Sequence, residues 1–154
     1  MQHVQTRSTT SALVLTAVLI ALATLFTMYT KIPVPGIRGY FNVGDVVIMT
    51  SALLLGRKYG AYIGAIGPAL ADLFLGYAVF VPITFVVKGI EGYLVGTVYN
   101  NKTTISALVA TIVGGIIIVA GYFIAEYFVF DPGVAIASIL TNTIQAVMSV
   151  IISM

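Results

Sequence analysis

The chain has 154 residues, of which 60% are hydrophobic and 8% are charged, with a formal net charge of +2 and no cysteine. Soluble domains carry roughly 25% charged residues. A chain of this length cannot bury so much apolar surface away from water. The composition therefore predicts a protein that is solvated by a lipid bilayer. The absence of cysteine excludes disulfides and thiolate metal sites, and the small net charge argues against a nucleic-acid partner.

Six apolar segments follow one another along the chain, and each is predicted to be a transmembrane helix. Their predicted bounds are Ser11–Lys31, Gly44–Leu55, Tyr59–Gly76, Val81–Tyr99, Thr104–Glu126 and Val134–Met154. The first is longer than the ~7–15 apolar residues of a signal peptide and lacks a small-residue cleavage site. The second is short for a full span. We therefore predict an all-α membrane protein in which residues 1–154 form one domain, a compact bundle of six transmembrane helices.

The basic residues predict how this bundle is oriented. An even number of helices puts both termini on one side. That side collects Arg7, Arg57, Lys58 and Lys102, and the opposite side collects Lys31 and Arg38 together with Asp45, Glu126 and Asp131. Cytoplasmic loops carry an excess of lysine and arginine, so we expect both termini to be cytoplasmic in a multi-pass protein of the cell membrane.

The connection between the first two segments, "KIPVPGIRGYFNVGD" from Lys31 to Asp45, then lies outside. Long loops in small domains are commonly functional, which makes its aromatic pair, Tyr40 and Phe41, candidates for covering a ligand. The alternative is that the pair anchors the protein at the membrane interface, where aromatic residues are enriched.

Polar side chains of four segments fall at similar depths below the outer side. With ~1.5 Å of rise per residue, the depths are about 7 Å for Asp72, 10 Å for Lys88, 15 Å for Glu91, 12 Å for Asn142 and 16 Å for Gln145. Tyr122 and Glu126 stand near the outer end of the fifth segment. Ionisable residues inside a membrane usually face the bundle interior and mark functional sites. We therefore predict an outward-facing pocket, closed below, whose ligand contacts include Lys88, Glu91, Tyr122, Asn142 and Gln145.

Architectural roles for the same residues stay open at this point. Asp72 and Lys88 can form an ion pair that locks the third helix to the fourth. Asn142 and Gln145 can make interhelical hydrogen bonds, typically worth ~0.6–2 kcal/mol each. If they do contact a ligand, the modest polar set suits a small, uncharged or zwitterionic molecule.

Catalysis is not expected, and neither a cofactor nor a metal site is indicated. The single histidine is His3, in the N-terminal tail, so a nucleophile has no histidine base within the bundle. No HExxH, paired-aspartate or glycine-rich phosphate motif is present.

Small residues at helical spacing suggest close packing of helices. The first segment presents Ala17 and Ala21, four residues apart, and the third carries a ridge that includes Gly60, Gly64 and Gly67. The glycine ridge is expected to pack internally. For Ala17 and Ala21, spacing alone favours packing within the bundle, and docking of a partner helix is the alternative.

In order and spacing, these features resemble the substrate-binding S component of an energy-coupling factor (ECF) vitamin transporter, in its riboflavin/pyridoxine-type branch. The resemblance rests on Ala17 and Ala21, and on three longer stretches. These are "FNVGDVVIMTSALLLGRKYGAYIGAIGPALADLFLGY" (Phe41–Tyr77), "PITFVVKGIEGYLVG" (Pro82–Gly96) and "LTNTIQAVMSVII" (Leu140–Ile152).

The resemblance implies a function. S components bind a vitamin outside and deliver it inward together with a transmembrane coupling subunit and two ATP-hydrolysing subunits. Ala17 and Ala21 would then contact the coupling subunit, and the pocket would lie between helices four to six and the first loop. A vitamin B6-like or hydroxymethylpyrimidine compound is the expected ligand, because the chain lacks tryptophan for stacking on a large ring, and riboflavin is the alternative.

Two functions from other classes remain open on the sequence. One is a small proton-coupled exporter in which Glu91 carries the proton, and the other is a structural membrane subunit with an inert ion pair.

Overall fold

The computed structural model describes residues 9–33, 40–99 and 103–154, which form six helices and one short strand pair. The helices are α1 Thr9–Tyr29, α2 Gly44–Leu55, α3 Arg57–Phe74, α4 Phe80–Val98, α5 Thr104–Val129 and α6 Pro132–Ser153. All six predicted segments are therefore helical, with ends that differ from the predicted ones by at most three residues. Four residues named above, His3, Arg7, Arg38 and Lys102, lie outside the described residues.

Four of the helices, α1, α4, α5 and α6, are long and apolar enough to cross a membrane. The helix α2 has 12 residues, about 18 Å of rise, and is too short for a hydrocarbon core of about 30 Å. The helix α3 has 18 residues, but Arg57, Lys58 and Asp72 are among them. The chain is thus a multi-pass membrane protein with four candidate spans, and the cytoplasmic position of its termini stays a prediction.

The predicted outer connection contains a short antiparallel strand pair, which the all-α prediction did not include. Strand β1 is Ile32–Pro33 and strand β2 is Tyr40–Phe41, with Ile32 opposite Phe41 and Pro33 opposite Tyr40. After β2, only Asn42 and Val43 precede α2. We call residues Tyr40–Val43 the cap, because two of them lie over the cavity described below.

Glycines bring the helices close enough to place polar side chains in the centre of the bundle. A Cβ atom at Gly64 would overlap the main-chain carbonyl oxygen of Lys88, and one at Gly60 would overlap that of Gly92. On α5, a Cβ at Gly114 would lie 2.6 Å from the side chain of Val95. The expected internal packing of the glycine ridge is therefore confirmed: Gly60 and Gly64 set α3 directly against α4, and Gly114 does the same for α5.

An apolar cluster closes the bundle on the side away from the cap. Its buried members are Met49, Ala52, Val95, Ala110, Ile118 and Ala146. Along α2 and α4 these residues come one to two helical turns after the polar residues of the site. The polar layer therefore has an apolar floor, as the sequence predicts.

Candidate functional site

A buried lysine forms the centre of the polar layer. Lys88 of α4 donates a hydrogen bond from Nζ to Oδ1 of Asp45, at the start of α2. The same Nζ lies 3.6 Å from Oε2 of Glu91, one helical turn further along α4. All three side chains are at most 2% exposed. Two carboxylates thus share one buried ammonium group.

The predicted ion pair between Lys88 and Asp72 is not formed. Asp72 Oδ1 instead accepts a hydrogen bond from the hydroxyl of Tyr40 in the cap, at 2.5 Å. The true counterion is Asp45, which the sequence prediction placed on the outer side because it directly follows a long connection. Asp45 lies in the first turn of a short apolar helix, with no loop residue between it and the buried residues of that helix. This position was the sequence signal that could have identified Asp45 as the counterion.

Gln145 of α6 connects this ion pair to the cap. Its Nε2 donates to Oδ2 of Asp45 at 2.7 Å, and its Oε1 accepts from the backbone N–H of Asn42 at 3.0 Å. The Asn42 side chain in turn accepts from the N–H of Gly44 at 2.9 Å, which fixes the turn into α2. The polar layer and the cap are therefore one hydrogen-bonded unit.

The cap is held on its other side by aromatic contacts. The Tyr40 and Tyr77 rings are 4.9 Å apart between centroids, and the ammonium of Lys31 lies 5.0 Å from the Tyr77 ring centroid. Burial raises the pKa of Tyr40, and the neighbouring Asp72 carboxylate adds to the effect. The phenol therefore keeps its proton at neutral pH and remains a hydrogen-bond donor to Asp72. An aromatic anchor at the membrane interface does not account for this inward-directed hydroxyl.

A cavity of about 40 Å³ lies beneath the cap. At ~10–15 Å³ of probe volume per water molecule, it has room for roughly three of them. Its lining combines carboxylates, an ammonium, amides, hydroxyls and rings: Thr27, Tyr40, Asn42, Pro68, Asp72, Phe80, Thr84, Lys88, Tyr122, Glu126, Ser138, Asn142 and Gln145. A few placed polar groups beside apolar and aromatic walls are typical of small-molecule sites.

The structure brings five of the seven predicted ligand contacts together around this cavity: Lys88, Tyr122, Asn142, Gln145 and Tyr40. The other two, Glu91 and Phe41, are not among the described residues that line it. Glu91 instead lies beside the ammonium of Lys88, and Phe41 is half-buried in the strand pair. Thr27, Thr84 and Ser138 were not predicted from the sequence, because isolated threonine and serine residues in apolar helices carry no distinctive pattern.

Asn142, like Thr27, lines the cavity with an unused buried donor. Its Nδ2 atom is buried and has no hydrogen-bond partner within the described residues. Buried polar groups without partners are uncommon and costly in folded proteins. By contrast, Glu126 accepts from the hydroxyl of Ser138, and the hydroxyls of Thr84 and Tyr122 are bonded to each other at 2.9 Å. The Asn142 amide is therefore available to bind a polar group that enters the cavity.

On α1, Ala17 and Ala21 are exposed, while Thr16, Ala23 and Thr24 are buried. The Thr24 hydroxyl donates to the carbonyl oxygen of Gly67 at 2.9 Å, which attaches α1 to α3. Packing inside the bundle, which the spacing alone favours, is thus carried by other residues, and the two predicted docking alanines face outward.

Comparison with known proteins assigns the family. The family model described as "ECF-type riboflavin transporter, S component" matches residues 7–154. An "uncharacterized protein in gap 3'region" of Pyrococcus woesei is 40% identical over 130 residues, which is 84% of this chain and 87% of that protein. The "thiamine precursor transporter HmpT" of Lactococcus lactis subsp. cremoris (strain MG1363) is 30% identical over 140 residues, 90% of this chain and 78% of that protein. The chain belongs to the family of S components of ECF-type riboflavin transporters, a family of transporter components rather than of enzymes.

Proposed function

We propose that this chain is the vitamin-capturing S component of an ECF-type importer in the cell membrane. It binds its ligand outside, beneath the cap, and delivers it inward together with a transmembrane coupling subunit and two ATP-hydrolysing subunits. The observation that carries the proposal is the capped cavity, in which the Asn142 amide lacks a partner among the described residues. The family match supports it over the exporter and the structural subunit.

The ligand that we propose is a small hydroxylated heterocycle, a hydroxymethylpyrimidine or vitamin B6-like compound. The name of the relative from Lactococcus lactis supports a thiamine precursor. The cavity volume supports a small ligand, because about 40 Å³ is far below the ~300–1,000 Å³ of most ligand pockets, so the lining must move to admit any ring. A single heterocycle beside the lining rings of Phe80 and Tyr122 needs less displacement of the lining than the three fused rings of riboflavin.

Mass spectrometry of small molecules that remain bound through purification tests the proposal directly. We expect a pyrimidine or pyridine bearing a hydroxymethyl group. Titration calorimetry with hydroxymethylpyrimidine, pyridoxine and riboflavin then ranks the three candidates. Tightest binding of riboflavin would replace the proposed ligand, and binding of none of the three would count against vitamin capture.

The proposed contact to Asn142 gives a first expected result. Asn142→Ala removes the amide that lacks a described partner, so ligand affinity should fall by an amount corresponding to about 1–3 kcal/mol, while the thermal midpoint of the ligand-free protein stays nearly unchanged. The matched control is Thr143→Ala, because Thr143 is the next residue along α6 and is exposed. Equal affinity in both variants would remove Asn142 from the binding site.

The charges of the cavity give a second expected result. The carboxylates of Asp72 and Glu126 line the cavity. Lys88 is the one lysine in the described lining, and its ammonium is already paired with Asp45 and Glu91. A phosphate ester adds a charge of about −1.5 to −2, so hydroxymethylpyrimidine phosphate should bind at least about tenfold more weakly than the free alcohol, a difference of about 1.4 kcal/mol.

Neutralising the two carboxylates is the control for this discrimination. In Asp72→Asn with Glu126→Gln, the preference for the free alcohol should shrink. If the phosphate ester binds the unmodified protein as tightly as the alcohol does, the negative lining does not select the ligand. Titration calorimetry of both compounds against both proteins provides the comparison.

A docking surface for the coupling subunit completes the proposal. Ala17 and Ala21 are exposed on α1 beside large apolar side chains such as Leu13, Val14 and Val18. Small residues let a second helix approach closely inside a membrane, where lipid offers no hydrophobic drive for association. We therefore place the contact with the coupling subunit on this part of α1.

A further inference from the structure

The side-chain amide of Gln145 uses both of its ends, and each end reaches a different part of the chain. Its Nε2 donates to the Asp45 carboxylate at 2.7 Å, and its Oε1 accepts from the Asn42 backbone at 3.0 Å. The residue is only 3% exposed. This pattern distinguishes it from Asn142, one turn earlier on the same helix, whose amide nitrogen lacks a partner in the described part of the chain.

One partner of Gln145 belongs to the cap, which an entering ligand must pass, and the other belongs to the ion pair beside the cavity, which the ligand then meets. Asn42 is in the cap and lines the cavity. Asp45 holds the ammonium of Lys88, which also lines the cavity. An amide suits this bridge because it offers a donor to a carboxylate and an acceptor to an N–H at the same time. A carboxylate there would repel Asp45, and an apolar side chain would leave both partners unsatisfied.

We propose that Gln145 is a latch, a positioning residue that holds the cap over the cavity and links its closure to the Lys88–Asp45 ion pair. The inference rests on the proposed function, because it assumes that a ligand enters beneath the cap. In this proposal the two side-chain amides of α6 have different roles. Asn142 contacts the ligand, and Gln145 keeps the cap in place.

Other contacts hold the cap without reaching the charged centre. Tyr40 donates to Asp72, and the backbone N–H of Val43 donates to the hydroxyl of Thr30 at 3.0 Å. Loss of Gln145 should therefore loosen the cap near Asn42 without releasing it completely. The expected effect is a higher frequency of opening, rather than unfolding of the bundle.

Because the chain has no cysteine, a single introduced cysteine can report cap opening. Thr27→Cys is a suitable reporter, since Thr27 is 1% exposed, lines the cavity, and has a hydroxyl without a hydrogen-bond partner among the described residues. In ligand-free protein, the rate of labelling by a water-soluble maleimide should rise at least about tenfold when Gln145→Met is added, because two buried hydrogen bonds are lost. Thr143→Ala, added to the same reporter, should leave the rate unchanged, because Thr143 is exposed on the same helix and does not line the cavity.

A second reporter separates opening of the cap from loosening of the whole bundle. Ser149 is fully buried one turn beyond Gln145, and its hydroxyl also lacks a described partner. Ser149→Cys should stay unreactive in the Gln145→Met background. Faster labelling of this cysteine as well would show a general loss of packing and overturn the latch, as would an unchanged rate at Thr27→Cys.

These outcomes are independent of vitamin capture, because labelling is measured without ligand. If Gln145→Met speeds labelling of Thr27→Cys alone, the latch stands even where calorimetry finds no vitamin bound. If calorimetry finds a vitamin and Gln145→Met changes no labelling rate, the proposed function stands and the latch fails.

Discussion

Lys88→Met is expected to destabilise the protein more than any other single substitution in the polar layer. The substitution keeps an apolar stem of similar length but leaves Asp45 and Glu91, both fully buried, without their shared cation. Stranding a buried charge in this way costs about 3–5 kcal/mol. Thermal unfolding in detergent should show a much lower midpoint than in the unmodified protein.

Second substitutions identify which carboxylate is the counterion. Adding Asp45→Asn to Lys88→Met removes one stranded charge and keeps an acceptor for the Gln145 amide, so part of the lost stability should return. Adding Asp72→Asn is the matched control, and it should restore nothing, because Asp72 is bonded to Tyr40 rather than to Lys88. If Asp72→Asn restores as much as Asp45→Asn does, then Asp72 is the partner of Lys88 after all.

The comparison of these two aspartates shows what can be predicted from a membrane sequence of this kind. Depth along a helix follows from a fixed rise per residue, so Lys88, Asn142 and Gln145 were correctly assigned to one layer. The partner of Lys88 depends on how each helix is rotated and on which helices are adjacent. Those quantities follow from packing, which hydropathy does not encode.

The glycines of α3 and the alanines of α1 likewise show that packing cannot be predicted from residue spacing alone. The glycine ridge on α3 had to pack internally, because Gly60 and Gly64 meet the backbone of α4 with no space for a Cβ. Ala17 and Ala21 have the spacing of a packed face, yet they are exposed. Small residues at i and i+4 predict that a close helix contact is possible. Only the fold shows whether that contact is made within the bundle or the face remains exposed.

The short strand pair could not be predicted for a related reason. Strands of two residues carry no periodic pattern, and the pairing of Pro33 with Tyr40 depends on how the ends of α1 and α2 are placed. The aromatic character of Tyr40 was visible in the sequence, but the partner of its hydroxyl, Asp72, lies 32 positions away on α3.

Ala17→Trp combined with Ala21→Trp is expected to abolish vitamin uptake while leaving ligand binding intact. Both alanines are exposed, so two indole rings can be placed there without displacing the residues that attach α1 to α3. The cavity lining includes one residue of α1, Thr27, more than a turn beyond Ala21. A coupling subunit that docks by close approach of helices would be held away by the rings, so the double variant should fail to co-purify with the ATP-hydrolysing subunits.

The matched control for this variant places the same pair of rings on another exposed face. Ile116 and Ala120 on α5 are also four residues apart and exposed, so Ile116→Trp with Ala120→Trp should assemble and support uptake normally. Loss of assembly in both double variants would indicate that bulk anywhere on the membrane-facing surface is harmful. Normal uptake by Ala17→Trp with Ala21→Trp would exclude this part of α1 as the docking surface, because two indole rings cannot be accommodated between helices that pack through alanine.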